Sequence, residues 1–298
     1  MKVLNFGSVN IDYVYQMAHF IRPGETAPCQ ALTTGCGGKG LNQSIALAKA
    51  GTKVYHAGLY GKEGQFLLDK MNAAGVDTGF MRLGEGPNGH AIIQVEKSGQ
   101  NCIILYGGTN RQVTDGYVDE VLAHFEKGDV LVLQNEINNM PYLMKKAHEK
   151  GLRIAFNAAP YGPEVLAYPL ETVTWLIVNE VEGAGLSGKE DFDEIAETLV
   201  RKYPGVTVML TMGKSGCLYK SAEETVRVPA CRVDAVDTTA AGDTFIGYFV
   251  RGMIEGLPVE ETLKQATVAS AIAVTKPGAA DSVPALEEVL ASELLGTI

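Results

Sequence analysis

One aspartate at the start of a predicted helix has the residue type and the surroundings for chemistry on an anion. β-Branched residues between Val226 and Val233 predict a strand, and apolar residues at helical spacing after Asp243 predict a helix. Gly242 lies in the turn between them, where its missing side chain lets the backbone approach a ligand. The first N–H groups of a helix have no partner within it and favour an anion. Amides that bind an anion, beside a carboxylate base, suit transfer of a phosphoryl group to a hydroxyl.

The same turn also fits a purely structural role. An ionised carboxylate is stabilised at a helix start, so Asp243 can serve as an ordinary helix cap. Gly242 can likewise be an ordinary turn glycine. The turn alone does not decide between the two interpretations, so residues elsewhere in the chain must.

A glycine-rich loop, Gly35 to Gly40, contains the GxGxxG pattern of dinucleotide-binding proteins. That pattern needs its glycines directly after the first strand and an acid at the end of the second. Here a long stretch separates the glycines from the first predicted strand, and the second strand ends in His56-Ala57-Gly58. We therefore expect the loop to approach a polyhydroxylated ligand, with hydrogen bonds from Lys39 and Asn42. A tight helix start is the structural alternative.

Polar side chains follow two of the predicted strands. Asn10 and Asp12 come after the first strand, and Glu136 follows the strand Val130 to Gln134. Ligands of open α/β sheets gather at the carboxyl ends of strands. Each residue alone could cap a turn. Together, their carboxylates and amide suit the paired hydrogen bonds that vicinal hydroxyls require.

Two further loops follow predicted strands at the same edge of the sheet. Asn179 and Glu182 come after the strand Trp175 to Val178 and open a helix. Their acidic residues are either plain first-turn residues or a site for magnesium-bound phosphate, reached through water. The small residues from Thr211 to Gly216 follow the strand Thr207 to Leu210 and suit close approach of a phosphate or nucleotide.

Strands and helices alternate along most of the chain, which predicts an α/β fold with a central parallel sheet flanked by helices. Two β-like stretches, about 13–34 and 89–106, interrupt this alternation. We expect them to form a small sheet, a lid over the mouth of the larger one. No linker or repeat divides the chain, so residues 1–298 are expected to form one domain.

The composition limits the classes of partner. The 298 residues carry a net charge of −10, which argues against nucleic acid or an anionic membrane. Five scattered cysteines without a CxxC motif favour a reducing compartment. The chain shows no signal-peptide anatomy and no apolar run of membrane-spanning length. We expect a cytoplasmic protein whose ligands are small molecules.

Taken together, these motifs resemble the ribokinase branch of the PfkB carbohydrate kinases over nearly the whole chain. Gly35 to Gln43 is similar to the first signature of that family, and Asp234 to Phe245, with Asp-Thr-x-x-Ala-Gly-Asp, to the second. The resemblance implies a Rossmann-like, ribokinase-like fold and ATP-dependent phosphorylation of a free sugar, D-ribose to D-ribose 5-phosphate. Another sugar or a nucleoside is the alternative substrate, and a non-catalytic sugar-binding protein is the alternative class.

The resemblance also implies a role for individual residues. Asp243 would be the catalytic base, and the anion hole would be the backbone amides of Ala240, Ala241 and Gly242. Besides Asp243, the positions that match sugar-binding residues are Asn10, Asp12, Gly38, Lys39, Asn42 and Glu136. Positions that match nucleotide-binding residues are Asn179, Thr211, Gly213 and Gly242, with Glu182 linked to Mg²⁺. A potassium site would involve Asp237, Thr239 and Ser282.

The resemblance further implies a homodimer formed through the lid sheets. Two departures concern the sugar. Tyr106 to Asn110 reads Tyr-Gly-Gly-Thr-Asn where the family often has His-Ala-Gly-Ala-Asn, and His90 stands where smaller residues are usual near the sugar. Both leave the identity of the sugar open and do not affect the phosphoryl chemistry.

Overall fold

The fold is described from a computed structural model that covers residues 1–298. Its strands are β1 (Val3–Phe6), β2 (Asn10–Gln16), β3 (Ala31–Gly37), β4 (Val54–Tyr60), β5 (Asp77–Leu83), β6 (Gly89–Val95), β7 (Asn101–Tyr106), β8 (Val130–Gln134), β9 (Arg153–Asn157), β10 (Trp175–Asn179), β11 (Thr207–Thr211), β12 (Cys217–Lys220) and β13 (Thr225–Val228). Its α-helices are α1 (Lys39–Lys49), α2 (Gln65–Ala73), α3 (Asp115–Leu122), α4 (Met140–Glu149), α5 (Glu180–Ser187), α6 (Phe192–Lys202), α7 (Ala241–Glu255), α8 (Val259–Val274) and α9 (Leu286–Leu290).

The larger sheet has nine strands in the order β13-β12-β11-β10-β9-β8-β1-β4-β5. Its strands from β11 to β5 pair in parallel, and the edge strands β12 and β13 pair antiparallel. This confirms the predicted α/β fold with a mostly parallel central sheet.

Helices cover both faces of this sheet, which explains why its central strands are continuous apolar runs. In β1, Leu4 and Phe6 pack into one hydrophobic core and Val3 into the other. Helices α3, α4, α5 and α6 contribute to the first core, and α1, α2, α7, α8 and α9 to the second. None of the helices combines the length and apolar character needed to cross a membrane.

The second sheet has four strands in the order β3-β2-β6-β7, and we call it the small sheet. Its strands come from the two β-like stretches that interrupt the alternation, as predicted. The alternating polar and apolar residues of Asn10 to Tyr13 already belong to β2. Asn10 and Asp12 therefore lie in the small sheet, and not in a loop after β1 as the sequence suggested.

The strand predicted at Val226 to Val233 is shorter in the structure. β13 ends at Val228, and residues 229–240 form a loop that leads to α7. Pro229 follows directly, and a proline has no N–H to continue a ladder. The antiparallel strand β12, which was not predicted, is the partner that β13 pairs with.

Candidate active site

The candidate site lies at the carboxyl edge of the larger sheet, where the direction of strand order reverses. The chain runs from β1 to β4 on one side and returns to β8 on the other side of β1. Such a reversal opens a crevice at the strand ends, where α/β proteins bind ligands.

Asp243 lies in the first turn of α7 and faces this crevice. It is buried, and each carboxylate oxygen accepts a hydrogen bond from α1. Asn42 Nδ2 donates to Oδ2 at 3.1 Å, and Gln43 Nε2 donates to Oδ1 at 2.9 Å. The carboxylate is therefore held beside α1, the helix that follows the glycine-rich loop, about two hundred positions away in the sequence.

The turn before α7 presents backbone amides to the same crevice. Ala240 has a left-handed conformation with φ of 59°, which is uncommon for a residue other than glycine. The amides of Ala240 and Gly242 have no hydrogen-bond partner within the chain, whereas Ala241 N donates to Thr238 O at 3.3 Å. Two of the three predicted anion-hole amides are therefore free, and the third has a long, weak bond.

Two adjoining cavities meet at this turn. The smaller, about 260 Å³, is lined by Lys39, Glu182 and Asp243 among other residues. The larger, about 390 Å³, extends to apolar side chains that include Val233 and Phe245. Both are lined by Thr211, Thr238 and Gly242. Together they suit a ligand with a charged end near Asp243 and a flat apolar end.

The predicted sugar-binding residues come from the small sheet, from the start of α1 and from the loop after β8, and several of them contact one another. Glu136 Oε2 accepts from the Ser8 hydroxyl and, at 2.9 Å, from the backbone N–H of Lys39. Burial and the nearby charge of Glu136 raise the pKa of Asp12 to about 7. Gly38 has φ of 94°, and a Cβ there would lie 2.9 Å from the backbone nitrogen of Asn10. The glycine allows loop and small sheet to meet.

Two asparagines carry unused polar groups in this region. Asn10 Oδ1 accepts from Asn110 Nδ2 at 2.7 Å, so the Asn10 amide group remains available as a donor. Asn42 Oδ1 is buried without a hydrogen-bond partner. Because a buried unpaired acceptor is costly, it marks a place where a ligand hydroxyl would bind.

Lys39 places a positive charge among three carboxylates. Burial lowers its pKa, but Asp243, Glu136 and Glu182 raise it more strongly, so the net shift is upward. The ammonium group therefore stays charged within the smaller cavity. It suits an anionic ligand beside Asp243.

Asn179 and Glu182 cap the start of α5, which is the structural role that the sequence left open, and both also line the smaller cavity. Asn179 Oδ1 accepts from Glu182 N at 3.0 Å, and Glu182 Oε2 accepts from Asn179 N at 2.7 Å, which is a capping box. Both line the smaller cavity with Thr211, and Gly213 lines the larger. Burial raises the pKa of Glu182, opposed by the Asn179 N–H and by Lys39.

The predicted cation residues lie on two adjacent loops. Asp237 Oδ1 accepts from Thr239 N at 2.9 Å, and Oδ2 accepts from Gly278 N at 3.0 Å. Burial raises the pKa of Asp237, but these hydrogen bonds outweigh it and lower the pKa overall. Ser282 lies in the second loop, where its hydroxyl donates to Ala279 O at 2.9 Å and makes no bond to Asp237.

His90, noted in the sequence for its size, lies on the face of the small sheet opposite Asp12. His90 is in register with Ile11, and its ring lies 5.9 Å from the Tyr13 ring, on the opposite face of β2 from Asp12. Ala91 is the residue in register with Asp12. A small residue therefore occupies the face that carries Asp12.

Several residues of the site were not singled out from the sequence. They are Ser8, which binds Glu136, Asn110, which binds Asn10, and Gln43, which binds Asp243. Gln43 did leave a signal. It lies with Asn42 and Ser44 in a helix segment that is buried on all sides, where uninterrupted polar residues are unexpected unless they are paired.

A carboxylate beside unpaired backbone amides is the arrangement that phosphoryl transfer to a hydroxyl requires. The model of the pfkB family carbohydrate kinases matches residues 1–286, and the chain belongs to this family of sugar kinases.

Three relatives illustrate the similarity. The chain is 33% identical over 294 residues to the ribokinase of Haemophilus influenzae, covering 95% of each protein. It is 30% identical over 300 residues to the deoxyribokinase of Salmonella typhi, covering 97% of each. Its fold matches the solved Arabidopsis thaliana ribokinase complexed with ribose and ATP with a TM-score of 0.85 at 27% identity, covering 99% of this chain and 98% of that one.

Proposed function

We propose that the protein transfers the terminal phosphoryl group of ATP to the 5-hydroxyl of D-ribose. The observation that carries this proposal is the position of Asp243, between the Asn42 amide and the free amides of the 240–242 turn. The ribokinase relatives support ribose as the sugar. The deoxyribokinase relative makes deoxyribose the second candidate.

In this proposal each part of the site has one task. Asn10, Asp12, Gly38, Lys39, Asn42 and Glu136 bind the sugar hydroxyls. Asp243 takes the proton of the acceptor hydroxyl, a role worth on the order of 10²–10⁴ in rate. The amides of the 240–242 turn stabilise the charge that builds on the transferred group. The nucleotide occupies the larger cavity, against Thr211, Gly213 and Gly242.

The site fits a magnesium ion held chiefly by phosphate oxygens and water. No group of three or more His, Cys, Asp or Glu side chains is arranged to enclose a metal ion. Glu182 uses one oxygen in its capping box and lines the smaller cavity, so its carboxylate can accept from metal-bound water. Bound there, magnesium neutralises phosphate charge.

We assign the potassium site to Asp237, Thr239 and Ser282. The Asp237 carboxylate stays ionised between the 236–239 and 278–282 loops, and the first of these leads directly to the anion-hole turn. A cation there would fix the turn without touching substrate. We expect activity to fall when potassium is replaced by tetramethylammonium at equal ionic strength. Equal activity in both salts would refute the assignment.

The reaction is tested by ADP release in a coupled assay with purified protein. The acceptors are ribose, deoxyribose, fructose and a panel of nucleosides, with water as background. Ribose is expected to give the highest kcat/KM. If ADP is released only with nucleosides, the acceptor is a nucleoside and not a sugar. If no acceptor raises ADP release above the water background, the kinase function is overturned.

We also propose that the chain acts as one domain, with the small sheet as a lid that excludes water. Two lids would pair in a homodimer. β7 is an edge strand whose six residues are all exposed, including Ile103 at 54% and Ile104 at 59%. An exposed apolar edge strand is a surface that normally requires cover. The five cysteines are all free, which supports a reducing, cytoplasmic location.

Charges placed on the lid edge are expected to separate the dimer. Ile103 and Ile104 point to opposite faces of the small sheet, so both are replaced by lysine. Sedimentation should then show a monomer where the parent is a dimer. The matched control replaces Leu166 and Leu290 by lysine, since they are similarly exposed at 49% and 51% but lie outside the small sheet. A parent monomer, or a dimeric Ile103→Lys/Ile104→Lys variant, would contradict the lid interface.

A further inference from the structure

Behind Asp243 lies a chain of buried amide side chains. Gln43 Nε2 donates to Asp243 Oδ1 at 2.9 Å, and Gln43 Oε1 accepts from Gln134 Nε2 at 2.7 Å. Both glutamines are fully buried. Gln43 belongs to α1 and Gln134 to β8, so the chain joins the helix to the sheet where the strand order reverses.

The donor and the acceptor of each hydrogen bond in this chain of side chains can be assigned by starting from His56, at the end farthest from Asp243. Burial lowers the pKa of His56 to about 4, so its ring is neutral at pH 7. His56 Nε2 lies 3.3 Å from the Gly7 carbonyl, which can only accept, and Nδ1 therefore accepts from Ser44 Oγ at 2.7 Å. Ser44 in turn accepts from Asn5 Nδ2 at 2.9 Å, and Asn5 Oδ1 accepts from Gln134 Nε2 at 3.0 Å.

This fixed direction determines what Gln43 presents to Asp243. Because Gln134 donates to Gln43 Oε1, the amide group of Gln43 must point at the carboxylate. If that amide were reversed, two acceptors would face each other without a proton between them. Gln43 lines neither cavity, so it acts on the site through its partners: through Asp243 and, by a longer bond, through Asn157, whose Oδ1 accepts from Gln43 Nε2 at 3.3 Å and which lines the smaller cavity.

We propose that Gln43 is a positioning residue, held by Gln134, that fixes the Asp243 carboxylate in the place and orientation needed to accept a proton. The inference rests on the proposed function, in which Asp243 is the base. Asn42 binds the other oxygen, and its own buried Oδ1 has no partner, so Asn42 can also bind a sugar hydroxyl. Gln43 has no polar atom free for a ligand, since Oε1 accepts from Gln134 and Nε2 donates to Asp243 and Asn157.

The test replaces Gln43 by Met, which is of similar length and removes its three side-chain hydrogen bonds, to Asp243, Gln134 and Asn157. We expect kcat to fall on the order of 10²-fold, as a carboxylate misplaced by about 1 Å would cause, with sugar KM changed by less than about threefold. The acidic limb of the kcat profile should move to higher pH, because a carboxylate that loses a donor is protonated more easily. Lys39 and Glu182, the other charged groups near Asp243, are unchanged.

Gln265→Met is the matched control. Gln265 is also buried and bonded at both ends, to Arg251 at 2.8 Å and to Glu261 at 3.1 Å, but it lies on α8 and lines neither cavity. It should lose stability without a change in kcat or in the pH profile. A merely structural role for Gln43 would give the same result as this control.

Gln134→Met removes the residue that holds Gln43, one hydrogen bond further from Asp243. It is measured alongside Gln43→Met, so that the inference can still be tested if Gln43→Met fails to fold. It should lower kcat less than Gln43→Met and shift the profile in the same direction. A folded variant of either kind with kcat within about twofold of the parent and an unmoved profile would overturn the inference. Asp243→Asn separates the two claims: if that variant stays active, the base assignment fails, whatever the glutamine variants show.

Discussion

Asp243→Asn is expected to lower kcat on the order of 10²–10⁴-fold while sugar and nucleotide still bind. Asparagine has the same shape as aspartate but cannot take the proton of the acceptor hydroxyl. The other groups that would bind sugar and phosphate, including Lys39, Glu136 and the free amides of the 240–242 turn, are unaltered. Steady-state kinetics gives kcat, and calorimetric titration with sugar gives binding independently of turnover.

The control for this substitution is Asp129→Asn. Asp129 is buried to the same degree, with 7% of its surface exposed against 6% for Asp243, and it accepts hydrogen bonds from the backbone N–H groups of Lys2 and Glu126. It lies before β8, at the opposite end of the strand from the site. Asp129→Asn should affect stability only. If Asp243→Asn keeps kcat within tenfold of the parent, Asp243 is not the base.

Strands with a clear local pattern were predicted to within one residue. β8 has the predicted bounds, and β10 and β11 end one residue later than predicted, because each is set by an apolar run. β13 was predicted too long, because Val233 extended the β-branched pattern beyond Pro229, where the chain has no partner strand to pair with. Pairing is a property of the assembled sheet, and local composition does not report it.

The site could be predicted in part for a similar reason. Residues at the carboxyl ends of strands, such as Glu136 and Thr211, were found because parallel topology brings those ends to one edge. The bonds of Gln43 to Asp243 and Gln134 could not be found, because they join a helix to residues far away in sequence. Asn179 and Glu182 show a further limit of prediction from sequence. An asparagine followed three residues later by a glutamate can form a capping box, as it does here, or belong to a ligand site, and the sequence pattern is the same in both cases.

Asp12→Asn is expected to stabilise the ligand-free protein at pH 8 and to weaken sugar binding. Burial first, and the charge of Glu136 second, raise the pKa of Asp12 from 3.8 to about 7. Between about pH 4 and pH 7 the unfolded chain has lost this proton and the folded protein still holds it, so stability falls as pH rises through that window. Above pH 7 the folded protein carries the full cost of a buried charge, which asparagine lacks.

The difference between the two proteins should therefore depend on pH. Thermal and urea unfolding should show Asp12→Asn more stable than the parent by on the order of 2 kcal/mol at pH 8, and nearly equal to it at pH 4.5, where Asp12 is protonated in the fold. Sugar KM should rise about 10- to 100-fold at pH 8, since a charged acceptor of hydroxyl protons is lost. Equal free energies of unfolding for parent and variant at pH 8 would show that the buried charge of Asp12 does not destabilise the ligand-free protein. The burial of the Asp12 charge is costly in the empty site, and a sugar hydroxyl is the partner that would offset this cost. An unchanged sugar KM would therefore remove Asp12 from the residues that bind the acceptor.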